Sequence, residues 1–136
     1  MKDIHELAHR TFEAQPFSRF IGARLASASP GNAEIVLTIA DHLKQQHGFV
    51  HGGVISYLAD NSIAFAGGLA LDGNVLMSEF KINYVKPAVG SLLIARAYTK
   101  SSGKRQAVCL CDIYAVKDNE EKLCAIAQGT VVSVNH

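Results

Sequence analysis

The sequence predicts an α+β chain in which one long buried helix is wrapped by a curved, mostly antiparallel sheet of about six strands. Three observations lead there. Between about 52 and 66, Val54, Ile55, Leu58, Ile63 and Phe65 cover most of a helical wheel, with Ala59, Ala64 and Ala66 filling the gaps. A helix apolar nearly all round is expected to be buried nearly all round. The segments on either side of it alternate with period two, as half-buried strands do. Finally, 136 residues, 49% of them hydrophobic and 18% charged, suffice for one core around that helix.

Taken in order, residues 3–14 place Ile4, Leu7, Ala8 and Phe12 at helical spacing, and Pro16 stops that helix. Residues 1–20 are read as an N-terminal helical segment. A strand is expected over 21–29. The turn cluster Ser29-Pro30-Gly31-Asn32 and the alternating run 33–39 then complete a hairpin. After the helix, four long strands are expected over 75–85, 91–100, 105–117 and 122–134. Asp72-Gly73, the stretch from Pro87 to Gly90, Ser101 to Lys104 and Asp118 to Glu121 separate them. No repeat, low-complexity tract or linker interrupts the chain, so 1–136 is read as a single domain.

Thirteen basic and 12 acidic residues leave a formal net charge of +1. That balance excludes a field drawing the chain to nucleic acid or an acidic membrane surface, and leaves any phosphate contact to a few local residues. No stretch approaches the ~20 apolar residues of a membrane span. The polar start Met1-Lys2-Asp3-Ile4-His5-Glu6 lacks the apolar core of a signal peptide. Cys109, Cys111 and Cys124 are odd in number and lack C-x-x-C spacing. They read as reduced packing residues, and with the other features they favour the cytoplasm.

On the helix, Gly53, Ser56, Tyr57, Asp60, Ala64 and Gly67 follow at three- and four-residue steps as a small and polar row. Close packing against sheet or a partner chain would explain the small residues. Asp60 needs more, because a buried carboxylate is expensive unless paired or used. The residues before it are equally telling: Gln45, then Gly48, His51, Gly52 and Gly53, with Asp60 nine positions after His51. This pattern resembles the PaaI-like acyl-CoA thioesterases of the hotdog superfamily. Their signature is a polar amide, G-x-x-H-G-G, and a helix with a carboxylate at that distance. The likeness continues through Phe80-Lys81-Ile82-Asn83-Tyr84-Val85-Lys86-Pro87-Ala88 and Ser102-Gly103-Lys104, and covers roughly residues 33–133.

The resemblance implies a hotdog fold and hydrolysis of acyl- or aryl-CoA to a free acid and CoA, without a cofactor. It assigns the Gly52 backbone N–H to the thioester carbonyl oxygen, with the Gln45 side chain as its partner there. Most PaaI-like enzymes carry Asn at that place, so Gln45 adds one methylene. Asp60 becomes the general base or nucleophile, and His51 orders the loop before Gly52. Gly53 and Tyr84 would line the substrate groove, and Gly103, Lys104 and Arg105 would hold phosphates of coenzyme A. The plainer reading of 101–105 is a hairpin turn with solvated charges; for Tyr84 and Lys86 it is sheet packing and a surface charge. A Ser or Thr that orients water in the family falls at Met77 here. Ser78 next to it points to the opposite face, so that role is unassigned.

The chemistry suits these residues. Free N–H groups at a helix N-terminus stabilise a developing oxyanion, and two glycines let a substrate approach closely. Eight residues at ~1.5 Å rise put Gly52 and Asp60 roughly 12 Å apart, too far to act on one carbonyl within one chain. Two antiparallel helices packed side by side would close that gap. A homodimer with shared sites is therefore expected, and the resemblance extends it to a dimer of dimers. His42, His47 and His51 lack a persuasive metal-ligand set, and His47 reads as exposed or structural. No G-x-S-x-G elbow supports a serine hydrolase. A non-catalytic hotdog module binding acyl-CoA as a sensor or carrier is the runner-up; a hotdog dehydratase or hydratase lacks its His-acid pattern here.

Overall fold

The computed structural model describes residues 3–134; Met1 and Lys2, which open the N-terminal segment as read above, and Asn135 and His136 lie outside the described residues. Helix α1 spans Ile4–Glu13. The Asp3 carboxylate caps it by accepting from the N–H groups of His5 and Glu6 at 3.0 and 3.3 Å. Pro16 both ends this helix and opens a second, α2 (Pro16–Ile21), because proline at the first helical position forfeits no hydrogen bond. Gly22 then leaves α2 with φ 84°.

Six strands follow: β1 Ala23–Ser29, β2 Asn32–Thr38, β3 Val75–Tyr84, β4 Leu92–Ser102, β5 Gln106–Lys117 and β6 Glu120–Ser133. They form one antiparallel sheet in the order β1-β2-β4-β5-β6-β3, curved and unclosed, so β1 and β3 are its edges. The long helix α3, Gly52–Leu71, packs against β2 to β6. The hotdog arrangement is present as expected, and the period-two strands show why: along β5, Ala107, Cys109, Cys111, Ile113 and Ala115 are buried while their neighbours are not. Ile35, Leu37, Leu58, Ile63, Leu93, Ile113 and Val131 are fully inaccessible where helix meets sheet. Burying each such side chain stabilises the fold by about 1.5–3 kcal/mol relative to leaving it exposed.

Three expectations change. The helix runs five residues past 66, through Gly67 and Gly68, and ends at a left-handed Asp72 cap with φ 53°. Gly67 belongs to the sheet-facing side, since a Cβ there would overlap the Val131 side chain. The longer helix is also long and apolar enough, by length and composition, to cross a membrane, contrary to the expectation that no stretch approaches that size. Here its apolar surface packs into the sheet. Last, α3 is not buried nearly all round within one chain: Gly53 is exposed, and Val54, Ser56, Tyr57, Asp60 and Ala64 are only partly covered.

Candidate active site

The segment before α3 is a tight loop. The Gln45 N–H donates to the Phe49 carbonyl at 2.8 Å, the Gly48 N–H donates to the Gln45 carbonyl at 3.0 Å, and Gly48 turns the chain at φ 86°. The Gln45 side-chain oxygen accepts from the N–H groups of His47 and Phe49 at 2.6 and 3.4 Å. Backbone N–H groups can only donate, so the amide's orientation is fixed, and its Nε2 donor meets no acceptor among the described residues. The loop thus holds Gln45 by its oxygen and keeps its donor available.

His51 is the N-cap of α3. Its Nδ1 accepts from the Gly53 N–H at 2.8 Å, which places the proton of the neutral ring on Nε2. Its own N–H donates to the Leu43 carbonyl at 2.9 Å, and its carbonyl accepts from the Val54 N–H at 3.0 Å. The first turn therefore satisfies Gly53 and Val54, while none of the described residues accepts from the Gly52 N–H. From the end of β3, the Tyr84 hydroxyl donates to the Gly52 carbonyl at 3.2 Å and lies 2.9 Å from the Ser56 hydroxyl.

Gln45, Gly52, Tyr84 and Lys86 border a cleft of about 350 Å³ together with Phe49, Val50, Ile55, Val85, Pro87 and Ala88. Its wall is mainly apolar with a few polar groups, the usual make-up of a small-molecule site. The sequence had not pointed to Phe49 or Ile55 as lining residues. Nor had it linked Ser56 to Tyr84, since the contact depends on β3 returning beside α3.

The other expected site residues are elsewhere. Asp60 lies two turns along α3, half-buried and outside the cleft wall, and burial raises its carboxyl above the ordinary value. Among the described residues it forms no ion pair. Beside it, Tyr57 joins Ser18, Gln15 and Asn61 in a hydrogen-bonded cluster that fastens α2 to α3. Gly103, Lys104 and Arg105 are exposed in the β4–β5 turn, where the Gly103 N–H donates to the Gln106 carbonyl at 2.9 Å. That turn adjoins Val132, near the C-terminal end of α3 and away from Gly52. Ser78 is the unpaired residue of a bulge between Met77 and Glu79, and it is exposed.

Among the described residues no three His, Cys, Asp or Glu side chains gather, so His42, His47 and His51 stay apart from further ligands. Burial raises all three thiols, with Cys111 pushed up to about 12 and Cys124 to about 11. Protonated at neutral pH, they are packing residues rather than nucleophiles.

Residues 47–122 match the family described as the thioesterase superfamily. The chain belongs to the thioesterase superfamily. Within that superfamily it is PaaI-like: it is 29% identical over 126 residues to the acyl-coenzyme A thioesterase PaaI of Escherichia coli (strain K12), covering 90% of this chain and 85% of that one. It is 30% identical over 113 residues to the 1,4-dihydroxy-2-naphthoyl-CoA hydrolase of Listeria monocytogenes serotype 1/2a, covering 82% and 89%. The crystal structure of a thioesterase family protein from Silicibacter pomeroyi superposes with a TM-score of 0.89 at 31% identity, over 94% of this chain and 96% of that one. The superfamily match includes His51, Gly52, Gly53, Asp60, Tyr84 and the 103–105 turn, and begins two residues after Gln45.

Proposed function

We propose that this thioesterase hydrolyses acyl- or aryl-CoA to a free acid and CoA, in sites shared between two copies of the chain. The carrying observation is the Gly52 N–H: a first-turn donor with no acceptor among the described residues, at the positive end of a 20-residue helix, on the wall of a cleft. A thioester carbonyl oxygen accepts from it, with Gln45 Nε2 as the second donor. Asp60 of the other copy takes a proton from water. The hydroxide so formed adds to the carbonyl carbon, and the resulting oxyanion is held at Gly52. Collapse breaks the C–S bond, and the proton held by Asp60 passes to the leaving thiolate, which restores the carboxylate. Attack by the carboxylate itself, through an anhydride that water then cleaves, uses the same residues.

The pairing of copies has its own support. Edge strand β3 is 10 residues long, and an uncovered edge of that length invites a partner. α3 ends beside the start of β3, and Tyr84 at the end of β3 reaches Gly52, so helix and strand run antiparallel. Two β3 edges paired about a two-fold axis bring two antiparallel α3 helices side by side. Each Asp60 then approaches the other copy's Gly52, and each 103–105 turn approaches the other copy's cleft, where Lys104 and Arg105 hold phosphates of CoA. Gly53 borders the thioester and His51 orders the loop. The dimer, its further pairing into a dimer of dimers, the single-domain organisation and a cytoplasmic location all belong to this reading.

A panel of acyl- and aryl-CoA substrates, with released thiol followed by a colorimetric reagent, tests it. Turnover of at least one member that depends on Asp60 is expected. Saturable binding of the panel with no thiol release would instead make the chain the sensor or carrier considered above.

A further inference from the structure

We infer that Tyr84 is a positioning residue whose hydroxyl, tied to Ser56, holds the Gly52–Gly53 peptide so that the Gly52 N–H points at the substrate. This rests on the reading of that N–H as the oxyanion donor. Gly52 is the first residue of α3, held by the helix on its C-terminal side only, and glycine is the residue most able to shift there, so an oxyanion donor at this position gains from further restraint. The structure supplies restraint on both sides of Gly52. The preceding peptide is held through the His51 carbonyl, which accepts from the Val54 N–H at 3.0 Å. The following peptide is gripped at both ends. Its N–H, on Gly53, donates to His51 Nδ1 at 2.8 Å, and its carbonyl, on Gly52, accepts from the Tyr84 hydroxyl at 3.2 Å.

Donor counting gives the grip a direction. A phenol has one proton. With that proton on the Gly52 carbonyl, the 2.9 Å contact to Ser56 must have the Ser56 hydroxyl donating to Tyr84. The order is Ser56 to Tyr84 to the Gly52 carbonyl, a chain in which each bond polarises the next. The Tyr84 ring also lies at ordinary contact distance, 3.6 Å, from where a Gly52 Cβ would project. Phenylalanine at 84 therefore keeps the ring and removes only the hydroxyl.

Removing an oxyanion donor outright lowers kcat about 100- to 1,000-fold. Loosening one costs less, so Tyr84→Phe should lower kcat roughly tenfold with KM within about twofold. Ser56→Ala should lower kcat by less. The double variant should be no slower than Tyr84→Phe alone, because both act through one chain of hydrogen bonds. Independent losses that multiply, or a raised KM with kcat intact, would overturn the proposal.

A spectroscopic arm separates this idea from the one beneath it. The probe is a dethia analogue of the best panel substrate, with CH₂ in place of sulfur and a ¹³C-labelled carbonyl. On the parent protein its C=O stretch should fall below the value in water, and Tyr84→Phe should move it back towards that value. A shift that Tyr84→Phe leaves unchanged contradicts the positioning role while leaving the oxyanion donor standing. No shift on the parent removes the donor itself, and the inference with it.

Discussion

Gly52 and Asp60 stand eight residues apart on the same helix, and only Gly52 borders the cleft. At ~1.5 Å rise per residue they are separated by roughly 12 Å along the axis. On the proposed mechanism, the oxyanion donor Gly52 and the base Asp60 of one carbonyl therefore come from two different copies of α3.

Asp60→Asn keeps the side chain's shape and removes its basicity. The variant should fold and assemble while kcat drops about 100- to 10,000-fold and KM changes little. Steady-state kinetics on the best panel substrate checks this, and near-parental kcat would remove Asp60 from the chemistry.

The same substitution has a signature in stability. Burial raises the Asp60 carboxyl, so folding favours its neutral form. That contribution is full below the carboxyl's unfolded value and is lost as pH rises through the raised folded value. At pH 7 the ionised carboxylate is a burden that Asn lacks. Asp60→Asn should therefore melt higher than the parent at pH 7, with the gap narrowing as the pH falls through the acid range. Thermal melts at matched protein concentration measure the difference.

How far the sequence could be read depended on how local each feature is. Strand alternation is local, and β5 with its buried Ala107, Cys109, Cys111, Ile113 and Ala115 followed it closely. The start of α3 was equally plain from His51-Gly52-Gly53. Its end was not: the apolar pattern ran only to about 66, while the structure packs Gly67 against Val131 and carries the helix on to Leu71. In the site, Gln45 was recognisable as an amide, but not that its oxygen is engaged by the loop while its nitrogen meets no acceptor among the described residues. The bond between Ser56 and Tyr84 joins residues 28 apart through sheet topology, which no spacing announces.

Lys104 and Arg105 are exposed on the β4–β5 turn. Lys104→Gln combined with Arg105→Gln should raise KM for acyl-CoA several-fold and leave short thioesters without the nucleotide unaffected. The cause is loss of charge-assisted contacts to phosphate, so added salt should have the same effect on the parent. Unchanged KM for both substrate types would reduce the segment to a turn.

Asn61 is the hub of the cluster joining α2 to α3: its Nδ2 donates to Gln15 at 2.9 Å and to Tyr57 at 3.1 Å, and its Oδ1 accepts from Gln15 at 3.3 Å. Asn61→Ala leaves those part-buried groups short of partners and should destabilise the fold by about 1–3 kcal/mol. The urea midpoint should fall with the slope unchanged. An unaltered midpoint would mean that water replaces Asn61 at no cost.

Mixing two inactive variants tests the shared site most directly. In the proposed dimer, Asp60→Ala removes the base from both sites, and Gln45→Ala damages both oxyanion pockets. In a mixed dimer one site carries both lesions, while the other combines an intact Gln45 from one copy with an intact Asp60 from the other. An equal mixture at exchange equilibrium contains about half mixed dimers, and so should recover roughly a quarter of parental activity. Each variant alone is to be measured first, so that a strongly impaired Gln45→Ala provides the contrast. A mixture no more active than the mean of the two variants, with subunit exchange verified, would place Gln45 and Asp60 in one same-chain site and contradict the shared arrangement.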